Sequence, residues 1–235
     1  MQDIIKRTLT ALILTGVVTG LSIADEKTDG EGGQGSLFEI ARLQYSGGGD
    51  WYNDPSIIPN LCREINKRAD TAFPMASEKE AVVTVSDARL FQYPFLFMTG
   101  HGNVSFTDSE ISRLRSYFEA GGFLYADDDY GMDESFRHEL EKIFPEVSLV
   151  ELPHDFPLYR IPFRFPGGLP KIHEHDGKPP QGFGIFLRGR LVVYYTYETN
   201  ISDGWADQRV HGDPPQKREE ALKMGLNIVF YALTH

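Results

Sequence analysis

The chain of 235 residues carries 23 Lys+Arg against 34 Asp+Glu, a formal charge of −11, with 41% hydrophobic residues, 23 Gly, 14 Pro and one Cys. At about 100–200 residues per domain this is one domain or two, with enough apolar residue to form a core. The acidic balance argues against nucleic acid, whose phosphates call for a basic face, and a single cysteine permits neither an internal disulfide nor a cysteine-based zinc cluster.

Residues 1–24 read as a secretory signal peptide. Lys6 and Arg7 precede an apolar stretch over 9–21, and Ser22 and Ala24 supply the small residues of a cleavage site. The stretch is shorter than the ~20 apolar residues of a membrane span, and no cysteine follows it for lipid attachment. Cleavage takes the chain from 235 to 211 residues and, with Asp3, Lys6 and Arg7 gone, the charge from −11 to −12. The expected setting is therefore exported, periplasm or extracellular. Residues 25–36 are polar and Gly-rich and read as a flexible linker, leaving 37–235 as a single domain.

From there strand and helix patterns alternate: strand 37–45, helix 55–69, strands 81–85 and 94–99, helix 107–120, strand 123–126, helix 133–144 and strand 148–152. This order predicts an open, doubly wound α/β fold with a mostly parallel sheet. Thr107 and Glu110 make a capping box, and Gly121 fits the left-handed position that ends that helix. Asp54-Pro55 places a capping carboxylate before a first-turn proline, with Ile58, Leu61, Cys62 and Ile65 as the buried stripe. Phe136, Leu140, Ile143 and Phe144 form the stripe of the third helix, which Pro145 stops. Pro and Gly crowd 153–184, which predicts a long irregular cover. A hairpin over 184–187 and 191–197 and a helix over 215–233 close the chain.

In such a sheet the segments following the strands' carboxyl ends converge on the crevice where strand order reverses. Here they read Ser46-Gly47-Gly48-Gly49-Asp50-Trp51-Tyr52, Gly100-His101-Gly102 and Asp127-Asp128-Asp129. Glycines let backbone approach a ligand, imidazole titrates or binds metal near neutral pH, and clustered carboxylates bind cations or sugar hydroxyls. The candidate ligand-binding residues are Gly48, Asp50, Trp51, His101, Asp127 and Asp128. The glycine run lacks a nucleotide-binding spacing and the Lys and Ser/Thr of a phosphate loop. Alternation along the strand puts Asp127 and Asp129 on one face and Asp128 on the other. Three adjacent carboxylates cannot all be buried and ionised, so at least one is exposed, paired or cation-bound. His173-Glu174-His175-Asp176 has a metal-like composition but no helical spacing and reads as a solvated loop. Asp203, Asp207, His211 and Asp213 sit on the loop before the last helix, either solvated or completing the pocket from the opposite side. Cys62, on a buried helix face, behaves as a small hydrophobe, and there is no G-x-S-x-G elbow.

Four segments together, Leu43-Gln44-Tyr45 running through the glycine run to Asp54-Pro55, Tyr93-Pro94-Phe95-Leu96-Phe97-Met98-Thr99-Gly100-His101-Gly102, Ala120-Gly121-Gly122-Phe123-Leu124-Tyr125-Ala126-Asp127-Asp128 and the closing Asn227-Ile228-Val229-Phe230-Tyr231, resemble the bacterial domain-of-unknown-function family 4159 over residues 38–235. The resemblance implies a flavodoxin-like fold of the class I glutamine-amidotransferase-like type and an envelope setting, in which relatives accompany MoxR-type ATPases and von Willebrand factor A proteins. It implies no particular activity. A true amidotransferase carries a Cys on the elbow after the third strand, where this chain has Thr99-Gly100-His101-Gly102, so glutaminase chemistry is not expected.

Three functions are expected from these residues. The first is binding of a polar ligand, a glycan or envelope polymer. The second is a metal-assisted hydrolase using His101 and Asp127–Asp129, and the third a docking module of an envelope complex. No cofactor is implied, a divalent cation is left open, and neither a nucleic-acid partner nor a membrane span beyond the leader is expected.

Overall fold

The computed structural model describes residues 37–68 and 75–235. The expected signal peptide and linker, and Ala69 at the end of the first expected helix, lie outside them. In chain order the elements are β1 Ile40–Gln44, α1 Ile57–Arg68, β2 Ala81–Thr84, β3 Phe95–His101, α2 Asp108–Glu119, β4 Phe123–Tyr130, α3 Asp133–Ile143, β5 Val150–Glu151, β6 Gln181–Leu187, β7 Arg190–Tyr197, α4 Gln208–His211 and α5 Pro215–Thr234. Short 3-10 turns stand at Ala88–Gln92, Pro157–Tyr159 and Ser202–Trp205.

The strands form one seven-stranded sheet in the order β2-β1-β3-β4-β7-β6-β5. β2, β1, β3, β4 and β7 run parallel, and β6 and β5 are antiparallel to their neighbours β7 and β6. The first five reproduce the flavodoxin-like order, whose direction of winding reverses between β1 and β3. The antiparallel edge follows from a two-residue turn: Arg188 and Gly189 both take positive φ (51° and 82°), the geometry that matches strand twist in a tight hairpin.

Central strands read as nearly continuous apolar runs because helices cover both faces. On one face Ile58, Leu61, Cys62 and Ile65 of α1 meet Met224, Ile228 and Val229 of α5 around Trp205 and Phe97. On the other, Leu114 and Phe118 of α2 meet Phe136, Leu140 and Ile143 of α3. Burial of each large apolar side chain there contributes about 1.5–3 kcal/mol. The Thr107–Glu110 capping box is formed in both directions. The Pro-rich stretch expected as irregular over 153–184 is so up to 180, apart from one 3-10 turn, and its last four residues belong to β6. Leu158, Tyr159, Leu169 and Ile172 sink from it into the α1/α5 core.

Two local expectations are corrected. Asp54 does not cap α1: the helix begins at Ile57, Asp54 lies at φ 45°, and its carboxylate is turned to His211 instead. β4 does not stop at Ala126 but continues through all three aspartates to Tyr130, pairing Thr99 with Asp127 and Gly100 with Asp128 along β3. Carboxylates ordinarily end a buried strand because of their desolvation cost; here Asp127 and Asp129 find partners on distant segments, and Asp128 accepts the nearby Met132 N–H. Among the described residues no helix is long and apolar enough to cross a membrane.

Candidate functional site

The three aspartates of β4 go to three different places. Asp127 is fully buried and accepts from Thr196 Oγ1 (2.5 Å), Ser202 N–H (2.6 Å) and Ser202 Oγ (2.7 Å), so it ties β4 to β7 and to the turn that follows. Burial pushes its carboxyl up to about 6 against the pull of those donors. Asp128 points to the opposite face, where it accepts Met132 N–H (2.9 Å) at the start of α3 while its other oxygen is buried without a partner. Asp129 returns to the first face. It accepts from Asn53 Nδ2 and Asn200 Nδ2 (2.7 Å) and lies 3.3 Å from His101 Nδ1. Burial, then the nearby Asp203, raises the Asp129 carboxyl well above the usual range.

Asp129 forms the floor of a cleft of about 740 Å³ at the carboxyl ends of the strands, shared with Asn53, Asp54, His101, His173, His175, Asn200, Asp203 and His211. Each group is brought there for a local reason. His101 ends β3 after a register shift at Gly100/His101, between glycines at φ 148° and 83°. A Cβ on Gly100 would run into Tyr45 Oη. One carboxylate, Asp50, accepts both the His101 backbone N–H and, at 3.1 Å, its ring Nδ1.

The β1–α1 loop carrying Asp50, Asn53 and Asp54 is held from below by Arg42. This guanidinium is buried, pairs with Glu80 and donates to the carbonyls of Trp51 and Asn53 (both 3.1 Å) and Asp54 (3.4 Å). Asp203 sits in the 3-10 turn that Asp127 anchors at one end and Trp205 at the other, the indole Nε1–H donating to Ala221 O (2.8 Å).

The 173–176 segment, expected as a solvated loop, is instead fastened, with Lys171 and Ile172 before it, to the turn after β7. Thr199 O accepts the N–H groups of Ile172 (3.1 Å) and His173 (2.8 Å), Glu198 takes Lys171 Nζ (3.2 Å) and Asp176 N–H, and His175 Nε2 meets Asn200 Oδ1. Glu198 and Asn200 hold this turn in the left-handed region (φ 61° and 51°), which ordinary side chains seldom adopt.

The outcome is a convergence of His173, Asp203 and His211, whose donor atoms all lie within 4.8 Å of one another. His173 Nδ1 is 2.7 Å from Asp203 Oδ2, and its Nε2 is 2.8 Å from the buried Asp213. His211 Nε2 is 2.6 Å from Asp54 and 3.7 Å from Asp203. Asp203, with Asp213 behind, raises His173 to about 9, so without a cation an imidazolium balances these carboxylates. Tetrahedral donors about 2.1 Å from a zinc ion stand ~3.4 Å apart, and these atoms lie within 4.8 Å of one another. Two imidazoles and carboxylates suit zinc and its first-row neighbours. Asp213 on the far nitrogen of His173 supplies the outer carboxylate that orients a ligating histidine.

Of the residues singled out in sequence, His101 lines the cleft and Asp50 stands directly behind it. Asp127 and Asp128 serve as anchors on either face of β4. Gly48 is exposed at φ 97°, with open space where a Cβ would be. Trp51 is half-buried, its ring edge-on to Tyr52 and outside the cleft lining. Cys62 is buried in the α1 stripe, and burial pushes its thiol up to about 12, leaving no thiolate for nucleophilic attack. Asn53 and Asn200 carry no local signal in the sequence; for the meeting of His173 with Asp203 and His211 the composition of the histidine tract is the one local signal.

No curated protein matches the chain. A family model described as Domain of unknown function (DUF4159) matches residues 39–233. The chain belongs to that family, in keeping with the motifs at the ends of β1, β3 and β4.

Proposed function

We propose that the protein is a metal-dependent hydrolase of the cell envelope, holding a divalent cation through His173, Asp203 and His211 and acting on an uncharged polar substrate, such as an acyl group on a glycan or envelope polymer. The observation that carries this is the two-histidine, one-carboxylate group opening on the cleft. Asp54, 2.6 Å from His211, is at hand as a further ligand, and Asp213 orients His173 from outside. A cation so held, with a position left open, brings the pKa of bound water down to about 7 and supplies a nucleophile at neutral pH.

The cleft's own charge speaks to the substrate. Asp54, Asp203 and Glu174 line it against Lys217, a wall better suited to neutral esters and amides than to phosphoryl groups. Export to the envelope rests on the leader-like residues 1–24. Glycan binding through Trp51 alone has less behind it, because that ring lies outside the cleft.

The test is calorimetric titration of the chelator-treated full-length protein with Zn2+, followed by elemental analysis. One equivalent is expected, with about 2.7 kcal/mol of added stability at a hundredfold excess over Kd. His173→Ala and His211→Ala should each abolish both effects. A wild-type protein that takes up no zinc, manganese or cobalt and is no more stable with them would sink the proposal.

A further inference from the structure

Resting on that reading, we infer that His101 is the general base and acid of the reaction, with Asp50 as the positioning residue behind it. His101 does not belong to the ligating group. Its Nδ1 is hydrogen-bonded to Asp50 (3.1 Å) and stands 3.3 Å from Asp129, neither of which is among the three proposed ligands. The opposite nitrogen, Nε2, makes no hydrogen bond among the described residues, and the side chain lines the cleft at 55% exposure. A ring fastened at one nitrogen and open at the other is what proton transfer to a bound molecule requires.

The backbone is built for this placement. The register shift pairs His101 with Tyr130 and passes over Asp129, so the imidazole stands on the strand's rim. Asp50 grips both the peptide N–H and the ring of the same residue, which fixes the ring's rotation. The Asp50 carboxylate on Nδ1 keeps the neutral ring's proton there and leaves the Nε2 lone pair free. Asn200 links Asp129, which stands beside His101, to Asp203 of the proposed ligand group, donating to Asp129 Oδ1 (2.7 Å) and to Asp203 Oδ2 (3.1 Å) through one amide nitrogen. The two halves of the site are thereby held in one frame.

The step balances without a further reactant. As the water oxygen bonds to the substrate carbonyl carbon, Nε2 takes the water's proton. The bond from that carbon to the leaving oxygen or nitrogen then breaks, its electron pair goes to the leaving atom, and that atom takes the proton back from Nε2. One water is consumed, and His101 returns to its starting tautomer.

The experiment uses the full chain, labelled with 15N-histidine, and two probes, p-nitrophenyl acetate and bis(p-nitrophenyl) phosphate. In the ring 15N spectrum above neutral pH, the resonances missing from His101→Gln should report the proton on Nδ1, and Asp50→Ala should move population to Nε2–H. With zinc bound, His101→Gln should keep one equivalent of metal and lose roughly 10²–10⁴-fold in kcat on the acetate. Asp50→Ala should lower kcat with KM unchanged and alter the pH–rate profile. A wild-type His101 carrying its proton on Nε2 overturns the inference, as does a zinc-loaded His101→Gln with wild-type rate and pH profile. Failure of the wild type to bind zinc, or of the zinc-loaded wild type to turn over the acetate, instead overturns the hydrolase reading beneath it.

Discussion

Asp128 offers a direct test of how this sheet tolerates its carboxylates. Burial, with Asp133 and Asp127 nearby, lifts its carboxyl from 3.8 to about 7, although Met132 N–H and His101 pull the other way. At 1.36 kcal/mol per pH unit this difference amounts to roughly 4 kcal/mol. The folded protein binds a proton here that the unfolded chain releases, so the contribution is most favourable below pH 3.8. It is lost as pH climbs from 3.8 to about 7 and is level above that.

Asp128→Asn removes the ionisation while its Oδ1 still accepts Met132 N–H. The new amide N–H group stands where Oδ2 is buried without a partner, at a cost of about 1–3 kcal/mol. The protonated wild-type acid already holds an O–H donor in that place at low pH. The net expectation is therefore a gain of about 1–3 kcal/mol at pH 8, or several degrees in Tm, and a loss of no more than about 1 kcal/mol at pH 4. Urea unfolding of both proteins at the two pH values gives the comparison. An equal loss at pH 4 and pH 8 would refute the reasoning, since it would mean that Asp128 is either ionised at little cost or held by partners other than Met132.

Arg42→Met should destabilise by about 3–5 kcal/mol, because it leaves Glu80 and three loop carbonyls facing a methyl group; denaturant unfolding measures it. Gly47→Ala puts a Cβ 2.7 Å from Asn103 O at φ 115° and should cost about 1–3 kcal/mol, whereas Gly48→Ala at φ 97° meets open space and should cost less. Equal losses at the two positions in a thermal melt would show that contact with the 103–105 backbone does not matter. Thr107→Ala should cost about 1 kcal/mol in the same melt through loss of the α2 capping box.

The framework was legible because it rests on local patterns. The α2 cap, the α1 stripe and the apolar runs of β1, β3 and β4 are properties of short windows, and they predict elements to within a few residues of those found. The end of β4 was not, for a definite reason. Read locally, Asp127-Asp128-Asp129 is a loop; what keeps it in the sheet is Thr196, Ser202 and Asn200, some seventy residues on. Asp54 misled in the same way, since a carboxylate before a proline reads as a cap until His211 is placed beside it.

The site divides along the same line. His101 could be picked out because glycines on both sides leave an imidazole no packing purpose, and that signal is local. The group of His173, Asp203 and His211 could not, because its members lie on three separate short segments, a loop, a 3-10 turn and the end of α4, which neither a 3.6 nor a 2.0 period relates. Their meeting depends on two anchors that carry no chemistry themselves: Asp127, which fixes the Ser202–Trp205 turn, and Thr199 O, which receives Ile172 and His173. Alternation along β4 accounts for the rest. It sends Asp127 and Asp129 to the cleft face and Asp128 away from it, so one strand both fastens the turn that bears Asp203 and sets a second carboxylate 3.3 Å from His101. Part of the aspartate run thus serves the site by holding other residues in place, and its composition alone says nothing of which oxygen does which.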